Sequence, residues 1–244
     1  MKRFLFLIYF TLLQLIAIGQ TQIDPSIFPY NYVVKLIMFS GNSSYHGTGV
    51  IIDKNNILTN AHNLIDKDSI KIISGYNNID SPEVGSITVK CIRDKTIFFD
   101  NNFETKSHFL YDFAILKYDN IELWNKLLKK SNGKKLYLKN IDTLDGKILH
   151  ISGYPYFRFF EINKPKKAKV QYHNSTGKFT KLENGILNYK LNTRGGSSGS
   201  PIWIENDGNI IVIGIHKSGK GFNNQGLFYS AERIKLIEKW LSEN

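Results

Sequence analysis

Ser198 lies in the run Asn192-Thr193-Arg194-Gly195-Gly196-Ser197-Ser198-Gly199-Ser200-Pro201-Ile202, a tight glycine turn that leads straight into an apolar strand, Pro201-Ile202-Trp203-Ile204. Gly195, Gly196 and Gly199 permit backbone angles that other residues resist, so the Ser198 hydroxyl can project while nearby N–H groups converge on one point. A serine hydroxyl is a weak nucleophile at neutral pH and needs a histidine to take its proton and a carboxylate to orient that histidine. The chain offers both, in Ile57-Leu58-Thr59-Asn60-Ala61-His62 and in Tyr111-Asp112-Phe113-Ala114-Ile115-Leu116. Taken singly these signals are weak. A Gly/Ser run is often a linker, the chain has six histidines, and an aspartate ahead of a strand is ordinary turn chemistry. The ordered trio is what carries the signal.

The elements that must position these residues are short β-prone runs separated by turn residues. They are residues 32–39, 49–53, 70–74, 114–118, 148–153, 185–191 and 210–216. Such spacing predicts an all-β fold, and periodicity alone leaves sandwich and barrel both open. Between Asp119 and Lys135 the residues Ile121, Trp124, Leu127 and Leu128 recur at helix-like spacing. Near the end, Ile234, Ile237 and Leu241 share a helical face after Ser230, a candidate cap, and predict a short terminal helix.

Lys2 and Arg3 precede an apolar stretch from Phe4 to Ile18 that ends in Ala17-Ile18-Gly19, the pattern of a secretory signal peptide over residues 1–19. A membrane anchor needs about 20 apolar residues, and Gln14 interrupts this run, so cleavage after Gly19 and no lasting membrane insertion are expected. The single cysteine, Cys91, cannot form an internal disulfide and reads as a small core residue at the end of an alternating segment. It also excludes a thiolate-rich zinc site. The net charge of +11 gathers at Lys126, Lys129, Lys130, Lys134 and Lys135, and at Lys164, Lys166, Lys167 and Lys169. Such a field attracts anionic partners, and in the absence of a phosphate loop or nucleic-acid motif the expected ones are acidic polypeptides rather than nucleic acid.

The chain order His, Asp, Ser, with Gly196-Ser197-Ser198-Gly199-Ser200-Pro201 around the nucleophile, resembles the trypsin-like, chymotrypsin-fold serine peptidases. Within them the Gly-x-Ser-Gly-Ser-Pro form is similar to the glutamyl endopeptidase and exfoliative-toxin branch, and the likeness covers most of the chain beyond the leader. The resemblance implies two six-stranded antiparallel β-barrels with the site in the cleft between them. Its division of the chain is a short N-terminal segment at 20–27, a first barrel at 28–120, a linker at 121–135, a second barrel at 136–230 and a terminal helix at 231–244. That helix is expected to pack on the second barrel. The resemblance assigns His62 as general base, Asp112 as its orienting partner and Ser198 as nucleophile, with the N–H groups of Gly196 and Ser198 as the oxyanion hole.

Specificity is read from other positions. Asn192 is neutral where tryptic relatives carry an aspartate, which argues against cleavage after Lys or Arg. Thr193 and His216 stand where glutamyl endopeptidases bind an acidic side chain, through a hydroxyl and an imidazolium, and Lys217 or Lys220 would add positive charge. Ser197 replaces the aspartate that pairs with a newly cut N-terminus in trypsin relatives, so that activation route is closed. The expectation is a secreted or otherwise extracytoplasmic, monomeric serine endopeptidase. It would act on polypeptides after Glu, with Asp as the second choice, and require no metal or organic cofactor. The alternatives are a broad-specificity protease of the HtrA kind and a catalytically silent binding module on the same fold.

Overall fold

The computed structural model describes residues 21–76, 84–106, 109–155, 172–191, 193–220 and 223–243. The leader, Gln20, Asn192 and the lysines at 164–169 lie outside them. The chain is built as two antiparallel sheets, and the first described strand, β1 (Thr21–Gln22), belongs to the second of these. The first sheet comprises β2 (Val33–Ser40), β3 (Ser43–Ile51), β4 (Asn56–Thr59), β5 (Ser69–Ser74), β6 (Gly85–Lys90), β7 (Ile97–Phe99) and β8 (Ala114–Lys117). Its order is β6-β5-β2-β3-β4-β8-β7. The second holds β9 (Tyr137–Leu138), β10 (Ile148–Gly153), β11 (Tyr172–Glu183), β12 (Ile186–Tyr189), β13 (Pro201–Asn206), β14 (Asn209–Lys220) and β15 (Asn223–Phe228).

In the second sheet the order β11-β10-β13-β14-β15-β12 is closed by pairing of β12 back onto β11, a ring of six strands to which β1 and β9 attach. Closure removes the exposed sheet edges that would otherwise recruit other chains. Its hairpins have the expected chemistry. The β11–β12 turn is Asn184-Gly185 and the β13–β14 turn Asp207-Gly208, and all four residues have positive φ, as a two-residue turn matched to strand twist requires.

Apolar side chains of both sheets are buried, and the larger core cluster joins the first sheet to Trp203, Val212, Ile215 and Leu227 of the second. Leu36, Ile57, Leu58, Ile115 and Leu116 are fully buried in the first, Leu149, Leu187, Ile202 and Ile213 in the second. Cys91 follows β6, half-buried against the first core, and burial pushes its thiol up to about 11.

The helix Ile121–Lys130 lies between the two sheets in sequence, capped by the Asn120 side chain, which accepts from the Leu123 N–H at 2.8 Å. It buries Leu123 and Leu127, whereas Ile121 is exposed. Two residues of helix turn the side chain through about 200°, so Ile121 cannot share the face of Leu123. The terminal helix, Ala231–Ser242, is capped by Ser230 as the sequence predicts, but it does not pack simply on the second barrel. Its Trp240 ring lies 5.5 Å from that of Phe113, and Lys117 donates to the Glu243 carbonyl, so the helix crosses back to β8 of the first sheet. The aromatic pair explains the crossing, since Trp240 and Phe113 cover each other's apolar faces. At the start of that helix Arg233 donates to Leu110 O at 3.0 Å, Gly185 O at 2.9 Å and Phe228 O at 2.7 Å, joining both halves.

Truncating Trp240 to Ala opens a cavity between the terminal helix and β8. Stability in a urea titration is expected to fall by about 3 kcal/mol or more.

Candidate active site

β4 ends at Thr59, opposite Ala114 of β8, and this register sets the residues just beyond β4 beside those just before β8. Asn60 reaches across, its side-chain amide donating to the Asp112 carbonyl at 2.8 Å. The chain then makes a single 3-10 turn, Ala61–Asn63, which carries His62. Asp112 is 1% exposed, and its two carboxylate oxygens divide the work. Oδ1 accepts the His62 backbone N–H at 3.0 Å, and Oδ2 lies 2.7 Å from Nδ1 of the His62 ring. A carboxylate at Nδ1 selects the tautomer that leaves Nε2 with its lone pair toward the cleft, where it can take a proton.

The turn around Ser198 is held from both sides. From the first sheet, Thr48 N–H donates to Ser198 O at 2.8 Å and the Thr48 hydroxyl to Gly196 O at 2.9 Å. Asn63, next to His62, donates to the same Ser198 carbonyl at 3.2 Å and to Thr59 Oγ1 at 3.0 Å. From the second sheet, Gly199 N–H donates to His216 O at 3.0 Å, and His216 N–H to Ser200 O at 2.8 Å. These bonds, with those of Asp112 to His62, join the segments that carry residues 62, 112 and 198. The Ser198 hydroxyl itself donates to Lys217 O at 3.3 Å rather than to His62. Among the described residues no backbone acceptor takes the N–H of Gly196 or Ser198.

Gly199 makes the turn possible. Its φ is +87°, and a Cβ there would lie 1.9 Å from the Thr48 carbonyl. Ser197, buried beside the nucleophile, serves the turn as well: its N–H donates to Arg194 O at 3.0 Å.

Thr193 and His216 are both buried, and each has a partner that sequence reasoning missed. The Thr193 hydroxyl donates to the Asn224 side-chain oxygen, and the Asn224 amide donates to Leu191 O. His216 Nδ1 lies 2.5 Å from the Tyr189 hydroxyl, and Tyr189 stands opposite Asn224 in the β12–β15 ladder. Burial pushes the Tyr189 phenol well above its ordinary range, so it keeps its proton and can donate to the ring. The His216 imidazole is pushed down to about 3, by burial first and by the nearby His62 second. Its resting state is therefore a neutral ring, not the imidazolium expected from the sequence. Tyr189 and Asn224 also line a pocket of about 430 Å³ with Ser218, Gly219 and Gln225. No sequence signal marks Tyr189 or Asn224, because their roles arise from a cross-strand pairing.

Lys217, expected to add charge to the specificity pocket, points elsewhere. The β14–β15 register shifts between His216 and Ser218, and at this irregularity the Lys217 ammonium lies 3.9 Å from Asp112 Oδ2 and 3.6 Å from the centre of the Phe109 ring. Among the described residues no group of three His, Cys, Asp or Glu side chains is placed to hold a metal ion.

Two sheets, the second closed into a barrel, and hydrogen bonds that join a serine turn of the second to a histidine–aspartate pair of the first are the features to be compared with known proteins. The sequence model of the Trypsin family matches residues 18–241, and the chain belongs to that family. Among solved structures, a Glu endopeptidase in complex with MPD is similar at 24% identity and TM-score 0.71, over 91% of this chain and 95% of that one. The protease Anisep from Arthrobacter nicotinovorans is similar at 17% identity and TM-score 0.67, over 91% and 99%. A scabies mite inactivated protease paralogue is similar at 16% identity and TM-score 0.68, over 93% and 100%. The architecture is thus a trypsin-like serine protease fold, shared with a protein described as inactivated.

Replacing Gly199 by Ala forces the turn away from Thr48. The expected result is a loss of about 3 kcal/mol or more in a denaturant titration, because an unfavourable φ and a backbone collision act together.

Proposed function

We propose that this protein is a secreted serine endopeptidase that hydrolyses polypeptides after Glu, with Asp the second choice, through His62, Asp112 and Ser198. The observation that carries the reading is the 2.7 Å contact between the His62 ring and a carboxylate that is almost fully buried. A carboxylate so placed holds the imidazole in one orientation and stabilises the imidazolium formed during reaction. The leader sequence supports export. No helix among the described residues is long and apolar enough to cross a membrane.

The Ser198 hydroxyl leaves Lys217 O, turns to His62 Nε2 and attacks the substrate carbonyl as its proton passes to the ring. The carbonyl oxygen becomes negative and is met by the N–H groups of Gly196 and Ser198. His62 returns the proton to the leaving amine, which departs and leaves an acyl-enzyme. Water then attacks that ester with His62 again as base, releasing the acid and restoring Ser198. A substrate carboxylate entering the pocket loses water and must be hydrogen-bonded there. The Thr193 hydroxyl, once it leaves the Asn224 side-chain oxygen, and the neutral His216 N–H would serve, with the Tyr189 hydroxyl beside Nδ1 of the same ring.

The hydroxyl's resting bond to Lys217 O, together with the inactivated paralogue of the same fold, makes a silent binding module the specific rival. A fluorophosphonate separates the two, labelling Ser198 in the enzyme but not in Ser198→Ala. In the enzyme, Ser198→Ala and Asp112→Asn are each expected to lower kcat/KM by about 10,000-fold. Activity should fall on the acid side, because the base must be neutral to take the serine proton. A flat profile there would remove His62 from the mechanism.

Digestion of a mixed peptide library measures the pocket directly. Cuts enriched after Glu, with enrichment falling by about 10-fold or more in Thr193→Val, are expected. Cuts without acidic enrichment would instead favour the broad-specificity alternative.

A further inference from the structure

Asp112 serves more than one partner on its Oδ2 oxygen. His62 Nδ1 lies 2.7 Å from it, and the Lys217 ammonium 3.9 Å from the same atom. The lysine distance is too long for a direct hydrogen bond and short enough for a strong field, so its effect is one of charge. Several features build Lys217 into this place. It is 13% exposed, its position in β14 coincides with a register shift of the kind that re-aims a side chain, and the Phe109 ring receives its ammonium at 3.6 Å. Its own carbonyl accepts the Ser198 hydroxyl. One residue therefore faces the carboxylate with its charged head and bonds the serine through its backbone.

Resting on the peptidase reading above, we propose that Lys217 is a positioning residue whose charge offsets part of the Asp112 carboxylate's pull on the His62 proton. It thereby extends catalysis toward lower pH. Among the described residues, the titratable groups of this cluster are His62 on the 3-10 turn, Asp112 ahead of β8, and His216 and Lys217 on β14. His216 stays neutral in the working range, with its imidazole held at about 3, and so adds no competing charge. The Lys217 ammonium's pKa is lowered, by burial above all, and Asp112 offsets part of this, so the carboxylate helps to keep the lysine charged. The sign follows from the charges. A cation beside the pair disfavours a second positive charge on His62, so removing it lets the imidazole hold its proton to higher pH.

The rate of fluorophosphonate reaction at Ser198, followed against pH, tests this without involving the specificity pocket. In Lys217→Met and Lys217→Gln, which keep most of the aliphatic packing, the midpoint of the acid limb is expected to move up by about one pH unit. In Lys217→Arg it stays at the wild-type value. An unmoved midpoint in the two neutral variants, or an equal rise in the arginine variant, overturns the proposal. Failure of the unaltered protein to label at Ser198 overturns the peptidase reading itself, and this inference with it.

Discussion

Thr48 is the constraint on which the site depends. Its N–H holds the Ser198 carbonyl, its hydroxyl holds the Gly196 carbonyl, and its own carbonyl accepts the Thr59 hydroxyl at 2.7 Å. The same Thr48 hydroxyl receives the Tyr154 N–H at 3.0 Å. One residue of the first sheet thereby fixes both the turn that carries the serine and the strand that leads to the histidine. A side chain at position 199 would strike the Thr48 carbonyl, so the close approach of the two halves and the glycine-rich turn are one requirement seen from opposite sides. Hydrogen bonds between largely desolvated groups hold such geometry well, because the alternative is a buried polar group with no partner.

A second theme is the handling of charge in a confined space. Asp112 is buried yet ringed by the His62 backbone, the His62 ring and the Lys217 ammonium. His216, next to Lys217 in sequence, is also buried, but among the described residues its ring bonds to a protonated tyrosine, and it remains uncharged. The same desolvation thus leaves one site ionic and the other neutral, according to what each is given to bond with. For the proposed binding of acidic side chains this matters. A neutral donor network admits a carboxylate without presenting a permanent cation to every passing anion.

Strand existence was legible in the sequence because it rests on local pattern. The runs at 70–74 and 148–153 reappear as β5 and β10 almost to the residue, and Asn-Gly and Asp-Gly mark two of the hairpins. The partners of Thr193 and His216 were not legible. Asn224 and Tyr189 are joined by strand register, and a lone asparagine or tyrosine carries no sign of it. Lys35 shows the same limit. It interrupts an apolar strand as a solvent-facing residue would, yet it is 2% exposed, its ammonium 4.3 Å from the centre of the Tyr76 ring. The direction taken by Lys217 depends on an irregularity in the β14–β15 ladder, and the crossing of the terminal helix depends on Trp240 meeting Phe113; both are long-range facts.

The path of the polypeptide has a consequence for how the molecule comes apart. It contributes β1 to the second sheet, builds the first, completes the second, and finally lays its last helix against β8 of the first. Arg233 fastens that crossover to carbonyls of both halves. Each half therefore wears a piece supplied by the opposite end of the sequence, and without a disulfide the interlock itself must act as the staple. Separating the lobes requires peeling away a strand and a helix at once, which couples their loss of structure into a single cooperative event.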